Sequence, residues 1–138
     1  KHITLLIKAD PVQVSNEVIK MDKPKVNHEC NFCRADATKL SDVQIRQELS
    51  VVPDWQVEKI ENTTRLSRDF SFINFAQALS FTNQVGEFAE SIGHHPDLLT
   101  RWGCVKVTWY THKIGGVQQG DFLCAIETEL LYAKMNSN

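Results

Sequence analysis

The sequence lacks the features that mark several broad classes of protein. It contains no apolar run near the roughly 20 residues that a membrane-spanning helix requires, so we expect no membrane partner. Its 15 basic residues are outnumbered by 17 acidic ones, which gives a formal net charge of −2. Without a basic excess, direct nucleic-acid binding through backbone phosphates is not expected. A Gly-rich nucleotide loop is also missing, which argues against a bound nucleotide.

The amino terminus lacks a recognisable secretory signal. The apolar stretch Ile3–Ile7 is too short for a signal-peptide core with a cleavage site, and acidic residues soon follow it. An apolar content of 42% and a charged content of 23% are typical of soluble globular proteins. A chain of 138 residues is long enough for one domain with a buried core. We therefore expect a soluble, cytoplasmic protein.

Cysteine is scarce, with four residues in the chain. Cys104 begins an apolar strand pattern and Cys124 lies in a helical one, so both are predicted to be small buried hydrophobic residues rather than disulfide partners. Cys30 and Cys33 form a Cys-x-x-Cys pair. The second pair of a zinc ribbon and the βαβ surroundings of a thioredoxin-like site are both missing, so the function of this pair stays open.

The chain divides into two regions. Residues 1–38 show little hydrophobic period and are interrupted by Pro11 and Pro24. They are predicted to form an irregular amino-terminal extension, apart from a short strand at Ile3–Ile7. Residues 39–138 carry regular patterns and are predicted to form one domain.

Helix caps and apolar spacing within this domain predict the order helix, hairpin, helix, hairpin, helix. Ser41 with Gln44 is a capping box, Asn74 is a favourable N-cap, and Gly93 suits the left-handed residue after a helix. The predicted elements are helix 42–49, strands starting at 55 and covering 64–72, helix 75–92, strands 97–102 and 104–111, and a helix of about 118–131. An α+β fold satisfies this order, with a four-stranded antiparallel sheet and helices packed on one face, α-β-β-α-β-β-α.

Three of the five histidines belong to the second half of this domain. His94 and His95 leave the long helix at its carboxyl end. His112 ends the last strand, on the face of Lys106 and Tyr110 if the strand extends that far. Imidazole has an ordinary pKa of about 6.5 and gives or takes a proton near neutral pH. The grouping therefore indicates either acid–base chemistry or a metal site.

A zinc site made by these three histidines is the less favoured interpretation. His94 and His95 are neighbours in an extended segment, point to opposite sides and share a metal poorly. Two carboxylates have alternative roles as well. Glu90, one helical turn before His94, is either a surface residue or a group that orients an imidazole. Asp121 either stabilises the start of the last helix or takes part in the chemistry.

A set of spaced positions stands out in this region: Glu90, His94, His95, Pro96, Trp102, Thr111, His112 and Asp121. In order and spacing, it resembles the signature of the pterin-4a-carbinolamine dehydratases. The resemblance extends from about Leu40 to about Leu131. An ordered set of this extent is a much more specific signal than a lone His-His-Pro motif.

The resemblance implies a fold, an assembly and a reaction. The fold is α+β, and the assembly is a homotetramer, a dimer of dimers in which paired subunits extend the sheet across an edge. The reaction removes water from 4a-hydroxytetrahydropterin and gives quinonoid dihydropterin. It serves tetrahydrobiopterin recycling, with an aromatic amino-acid hydroxylase as a partner in the pathway. Because no redox step occurs, no nicotinamide or flavin is needed, so no cofactor is expected. The metal-free interpretation is preferred over zinc for the geometric reason given above.

The resemblance also implies roles for individual residues. His94 and His112 are acid–base groups, because the hydroxide leaving group needs a proton and a ring nitrogen must lose one. His95 orients the substrate or handles a second proton. Trp102 is expected in core or sheet packing rather than as a wall of the pterin slot. The implied substrate-binding residues are Glu90, Pro96, Thr111, Lys113, Ile114 and Asp121.

A function of another class is the alternative. Some relatives of this family are non-enzymatic binding modules, acting as a dimerisation cofactor of a transcription factor or as an assembly factor for a carbon-fixing enzyme. Retention of all three histidines favours the enzyme.

Overall fold

The computed structural model describes residues 38–137, which form a four-stranded antiparallel sheet with three α-helices. The α-helices are α1 (Asp42–Leu49), α2 (Phe75–Ile92) and α3 (Gln119–Asn136). The strands are β1 (Gln56–Ile60), β2 (Thr63–Ser71), β3 (Asp97–Arg101) and β4 (Cys104–Trp109). This is the predicted α+β order, and the prediction is confirmed. Among the described residues, no helix is long and apolar enough to cross a membrane.

Local capping chemistry fixes the starts of α1 and α2, as the sequence predicts. The Gln44 backbone N–H donates to Ser41 Oγ at 3.2 Å, and the Ser41 N–H donates to Gln44 Oε1 at 2.9 Å. At α2, the Gln77 N–H donates to Asn74 Oδ1 at 2.9 Å. Each bond satisfies a backbone group that the first helical turn leaves without a partner.

The sheet consists of two hairpins joined through their second strands, in the order β1-β2-β4-β3. The first hairpin turns at Glu61 and Asn62, whose φ angles are +50° and +65°. Two consecutive left-handed residues match the right-handed twist of the paired strands. The sequence Glu61-Asn62-Thr63 predicts a turn here. The turn is confirmed, although Thr63 already belongs to β2. Strands β1 and β3 are left at the two edges.

The core lies between one face of the sheet and the helices. The sheet contributes Leu66 and Phe70 from β2, which are completely buried. Helix α2 contributes apolar residues that recur at steps of three and four, a spacing that predicts a core-facing stripe. Phe70 is the centre of an aromatic cluster, with its ring centroid 4.9 Å from those of Phe81 and Tyr132. The buried members of the α2 stripe are Ala78, Phe81, Val85, Ala89 and Ile92, with Phe88 partly buried.

Two predicted positions are wrong. Leu130 continues the spacing of Phe122, Ala125 and Ile126, which predicts an inward face for α3. It is nevertheless 57% exposed, because it follows the buried Thr128 by two residues and so lies about 200° further round the helix. Trp102 was expected in core or sheet packing but is 68% exposed. It is the first residue of the turn between the paired residues Arg101 and Cys104, where a side chain extends beyond the sheet.

The remaining predictions on this part of the chain have mixed outcomes. Cys124 is buried as predicted, whereas Cys104 is only half-buried and its Sγ accepts a hydrogen bond from Arg101 at 3.3 Å. The amino-terminal extension, its short strand and the Cys30–Cys33 pair lie outside the described residues. The domain boundary at residue 39 stays a prediction.

The sheet face opposite the core carries a compact polar cluster. Ser67 is completely buried and its Oγ donates to Glu58 Oε2 at 2.6 Å. Lys106 Nζ lies 2.9 Å from the same oxygen. The Ser67 hydrogen bond and then the Lys106 contacts lower the pKa of Glu58 from its ordinary value of 4.5. The stabilisation is therefore present above that value and is lost as the pH falls through the lowered one.

We expect Ser67→Ala to reduce the free energy of unfolding by about 1 kcal/mol at pH 7, because it removes a hydrogen bond to a charged acceptor. The loss should shrink below the lowered pKa of Glu58, where the carboxyl group is protonated. Urea unfolding at neutral and acidic pH measures both values. Ser71→Ala, on the same strand and exposed, is the matched control. An equal loss at both pH values would contradict the assigned role of the carboxylate.

Candidate functional site

The carboxyl end of α2 sends two adjacent histidines in different directions. Gly93 ends the helix with φ +71°, a left-handed conformation that glycine adopts without strain, and its N–H donates to Ala89 O at 2.9 Å. His94 then turns into the protein, where it is 5% exposed. His95 turns outward, with 59% of its side chain exposed.

His94 is held on two sides. Its Nε2 lies 2.7 Å from Asp121 Oδ1. Its ring lies against Trp109, with the centroids 5.5 Å apart and the planes tilted by 30°. Trp109 is itself fixed, because its Nε1 donates to Thr128 Oγ1 at 3.0 Å. The imidazole therefore has a defined orientation.

Asp121 is completely buried and accepts hydrogen bonds from three separate parts of the chain. Besides the contact with His94, its Oδ2 accepts from Thr111 Oγ1 at 2.7 Å and from the Gln118 backbone N–H at 3.0 Å. The Gln118 side-chain amide donates to Thr111 Oγ1 at 3.0 Å. Asp121 thus stabilises the start of α3, as one of its two sequence interpretations proposed, and it also holds His94 in place. Its part in the chemistry stays a prediction.

Glu90 is a surface residue, as one of its sequence interpretations proposed, and it contacts the imidazole of His95. Glu90 Oε2 lies 3.0 Å from His95 Nε2, and the Glu90 side chain is 79% exposed. An exposed ion pair of this kind is weak, because water and salt screen it. The two histidines therefore differ in environment: one is buried beside a buried carboxylate, the other is in solvent beside an exposed one.

His112 reaches the site by a turn rather than by the strand. β4 ends at Trp109, and His112–Ile114 forms a single 3₁₀ turn closed by Gly115 at φ +66°. The Thr111 N–H donates to Gly116 O at 2.8 Å, which folds the segment back on itself. The strand therefore does not extend to His112, and its placement on the Lys106–Tyr110 face by alternation does not apply.

These segments enclose a cavity of about 270 Å³. All three described histidines line it, together with Thr111 and Lys113, which were also predicted. Its walls are Gly93, His94, His95, Tyr110, Thr111, His112 and Lys113. A larger open groove of about 800 Å³ lies alongside and shares His95 as a wall.

The other predicted substrate-binding residues lie around this cavity. Glu90 and Pro96 line the adjacent groove. Asp121 and Ile114 are not among the wall residues of either space, and Asp121 lies behind the cavity as the partner of His94.

Sequence reasoning did not single out Tyr110 or Gln118. Tyr110, an aromatic residue directly before Thr111-His112 at the end of a strand, carried a usable signal. Gln118 carried none, because its contact with Thr111 depends on how the loop folds.

The described residues contain no group of three His, Cys, Asp or Glu side chains placed to share one metal ion. His94 Nε2 and His95 Nε2 are directed to different carboxylates, Asp121 and Glu90. A carboxylate partner of this kind fixes the tautomer of an imidazole and supports acid–base chemistry.

The sequence and the fold are those of one class of protein. Residues 38–131 match the family described as Pterin 4 alpha carbinolamine dehydratase. This match covers well over half of the chain, so the chain belongs to that family.

Two relatives, one known by sequence and one by structure, agree with this assignment. A protein of Hahella chejuensis (strain KCTC 2396), provisionally named as a pterin-4-alpha-carbinolamine dehydratase, is 46% identical over 103 residues, covering 75% of this chain and 92% of its own length. The crystal structure of a transcriptional coactivator/pterin dehydratase from Brucella melitensis is similar with a TM-score of 0.62 and 27% identity, covering 69% of this chain and 99% of that one. A weaker likeness, with a TM-score of 0.49 and 20% identity over 57% of this chain and 89% of the other, is to a pterin dehydratase-like RuBisCO assembly factor of the alpha-carboxysome.

We expect Asp121→Ala to reduce the free energy of unfolding by about 3 kcal/mol or more, because His94, Thr111 and the Gln118 N–H would lose their shared buried acceptor. Glu90→Ala removes the exposed carboxylate–histidine pair and should change it by less than about 1 kcal/mol. Urea unfolding at one fixed protein concentration measures both. Similar small losses for the two variants would contradict the central role of Asp121.

Proposed function

We propose that this chain is an enzyme that dehydrates 4a-hydroxytetrahydropterin to quinonoid dihydropterin. The observation that carries the proposal is the convergence of His94, His95 and His112 on one cavity of about 270 Å³. Membership of the pterin carbinolamine dehydratase family supports the substrate class. The cavity is close to the lower end of the range for small-molecule sites, about 300–1,000 Å³, which suits a compact bicyclic ring.

His94 is proposed as the general base. An ionised carboxylate only accepts hydrogen bonds, so the Nε2 that faces Asp121 carries a proton. Nδ1 is then the nitrogen that receives the proton from the pterin ring nitrogen. The imidazolium that forms is stabilised by the adjacent Asp121 charge, which lies 2.7 Å away and is already in place.

His112 is proposed as the general acid. Hydroxide is a poor leaving group, and protonation of the 4a-hydroxyl by an imidazolium lets it depart as water. His112 is exposed, so it can exchange its proton with solvent after each turnover. The electron pair of the ring N–H bond forms the new double bond as the bond from carbon 4a to its hydroxyl oxygen breaks. The pterin thus gives a proton to His94 and loses hydroxide, which leaves as water with the proton from His112, so its net loss is one water molecule.

The remaining predicted residues are proposed to hold the substrate or the site. His95 lies between the cavity and the groove and orients the pterin, with Glu90 restraining its ring. Lys113 provides a positive edge to the cavity. Thr111 has its hydroxyl engaged with Asp121 and Gln118, so its proposed role is to fix the carboxylate.

The setting of this activity is also proposed. The enzyme would act in tetrahydrobiopterin recycling in the cytoplasm, beside an aromatic amino-acid hydroxylase, as a homotetramer. The two edge strands of the sheet support an oligomer, because unpaired edges are a liability that proteins cover. Apolar side chains at these edges, Val57 and Ile60 of β1 and Leu99 of β3, are 37%, 41% and 53% exposed.

A non-enzymatic binding module is the second candidate. The Brucella melitensis relative is described as both a transcriptional coactivator and a pterin dehydratase, so a likeness to it fits either function. The two differ in turnover. A binding module gives no acceleration of carbinolamine dehydration over buffer, whereas the proposed enzyme does.

We expect His94→Ala and His112→Ala each to lower kcat by about 100-fold or more, because each removes a general acid or base. The double variant should lose less than the sum of the two free-energy losses, since both groups act in one step. Dehydration of synthetic 4a-hydroxytetrahydropterin, followed by ultraviolet absorbance, measures these rates. Lys134→Ala, exposed on α3, is the control.

Chelation separates this mechanism from the zinc alternative. A chelator should leave the rate unchanged, and His95→Ala should raise KM rather than abolish activity. Stoichiometric zinc that is lost together with activity in His112→Ala would overturn the histidine mechanism. Full activity of both His94→Ala and His112→Ala would overturn it as well.

We expect the purified protein to have the mass of a tetramer in light scattering at micromolar concentration. Replacing the exposed Ile60 at the edge of β1 by Lys should shift the mass toward smaller species, because an edge charge opposes strand pairing. Glu61→Lys, in the adjacent turn, is the control for the added charge. A monomeric mass for the unaltered protein would contradict the proposed assembly.

A further inference from the structure

Tyr110 borders the cavity but is not explained by the proposed acid–base chemistry. It follows β4 directly, is half-buried, and lines the cavity together with the three histidines. Its ring centroid lies 6.3 Å from that of His112, with the planes inclined at 52°. Tyr110 therefore lies between the end of the strand and the proposed acid.

The walls of the cavity are otherwise polar. Apart from a glycine, the remaining wall residues are histidines, a threonine and a lysine. Small-molecule sites are typically lined by apolar and aromatic surface, with a few polar groups that fix orientation. Tyr110 supplies the large apolar surface among the walls that the structure describes. A flat heteroaromatic ligand would find its stacking surface there.

Two charged side chains hold the Tyr110 ring in place. The Arg65 guanidinium lies over it, with Cζ 4.4 Å from the ring centroid. The Tyr110 hydroxyl donates to Asp97 Oδ2 at 3.3 Å. Arg65 Nη1 lies 3.8 Å from the same Asp97 oxygen, which connects the three side chains. Arg65 and Asp97 are not among the cavity walls, so they support the ring from outside the cavity.

Arg65 occupies this position at the expense of a hydrogen bond. Its Nε is buried and has no hydrogen-bond partner among the described residues. Buried polar groups are nearly always paired, so an exception calls for an explanation. Fixing an aromatic wall of the cavity is such an explanation, because it requires the guanidinium to stay over the ring of Tyr110.

We propose that Tyr110 is the stacking surface for the pterin ring and that Arg65 and Asp97 are positioning residues that hold it. The inference rests on the proposed function for the identity of the ligand. Stacking contacts the ligand in the ground state and in the transition state alike. The contribution of Tyr110 therefore appears in binding and KM, with little change in kcat.

Oxidised biopterin is an unreactive probe that reports binding without turnover. Its fluorescence on titration with protein gives Kd for each variant. We expect Tyr110→Leu, which keeps an apolar side chain but removes the ring, to raise Kd by about 5- to 10-fold, the usual value of an aromatic contact. KM for the carbinolamine should rise by a similar factor, with kcat within about 3-fold.

Positioning by Arg65 has its own readout. Arg65→Gln should raise Kd for biopterin in the unaltered background but not in the Tyr110→Leu background, since it acts through the ring. Tyr110→Phe removes the hydrogen bond to Asp97 and keeps the ring, so its Kd should lie between those of the unaltered protein and Tyr110→Leu. Tyr132→Phe is the matched control at the other tyrosine of the chain, whose hydroxyl donates to Ser71 O. It should leave Kd unchanged, because Tyr132 does not line the cavity.

The outcomes separate this inference from the proposed function. Biopterin binding that is equal in Tyr110→Leu and the unaltered protein would overturn the stacking role, even where dehydration is normal. Equal effects of Arg65→Gln in both backgrounds would overturn the positioning role. Binding weakened by Tyr110→Leu, without any turnover in the unaltered protein, would uphold the inference and overturn the enzyme. Absence of any pterin binding by the unaltered protein would overturn both.

Discussion

The buried carboxylate of Asp121 is the constraint on which the site depends. A charge with no exposed surface must be surrounded by hydrogen-bond donors, and here the donors come from the residue after α2, the loop after β4 and the start of α3. None of these segments can move without leaving the carboxylate short of a partner. The need of one buried carboxylate for hydrogen-bond donors thus fixes the relative positions of three segments. The same hydrogen bonds orient His94.

The site has an interior half and a solvent half. His94, Thr111 and Asp121 are buried and linked by hydrogen bonds, so their geometry is set before a ligand arrives. His95 and His112 are exposed. In the proposed mechanism, precise orientation suits His94, which receives a proton from the bound ring, and exposure suits His112, which exchanges its proton with water. The division follows from Gly93 and from the short turn after β4.

Local chemistry was the part of the structure that the sequence could predict. Capping at Ser41 and Asn74 and the left-handed Gly93 depend on residues a few positions apart, and these elements lie where expected. The His94–Asp121 pair joins residues 27 positions apart, so no local pattern predicts it. The sequence also could not show which imidazole Glu90 contacts, and the structure shows that it is that of His95. Strand alternation does not place His112, because β4 ends before it. Thr111 instead forms hydrogen bonds with Gly116 and Asp121, which turn the chain away from the sheet. Such competition between partners is decided by the three-dimensional packing.

The β3–β4 hairpin, which forms half of the sheet, also affects the order in which the site folds. It connects the two segments that meet at the cavity. Its strands pair residues that are close in sequence, from Arg101 with Cys104 to Asp97 with Thr108. Contacts between residues close in sequence form fast, because little chain entropy is lost in closing them. The two segments that form the cavity therefore come together as this hairpin forms. A substitution that weakens its strand pairing, even one that contacts no histidine, would delay or prevent assembly of the cavity.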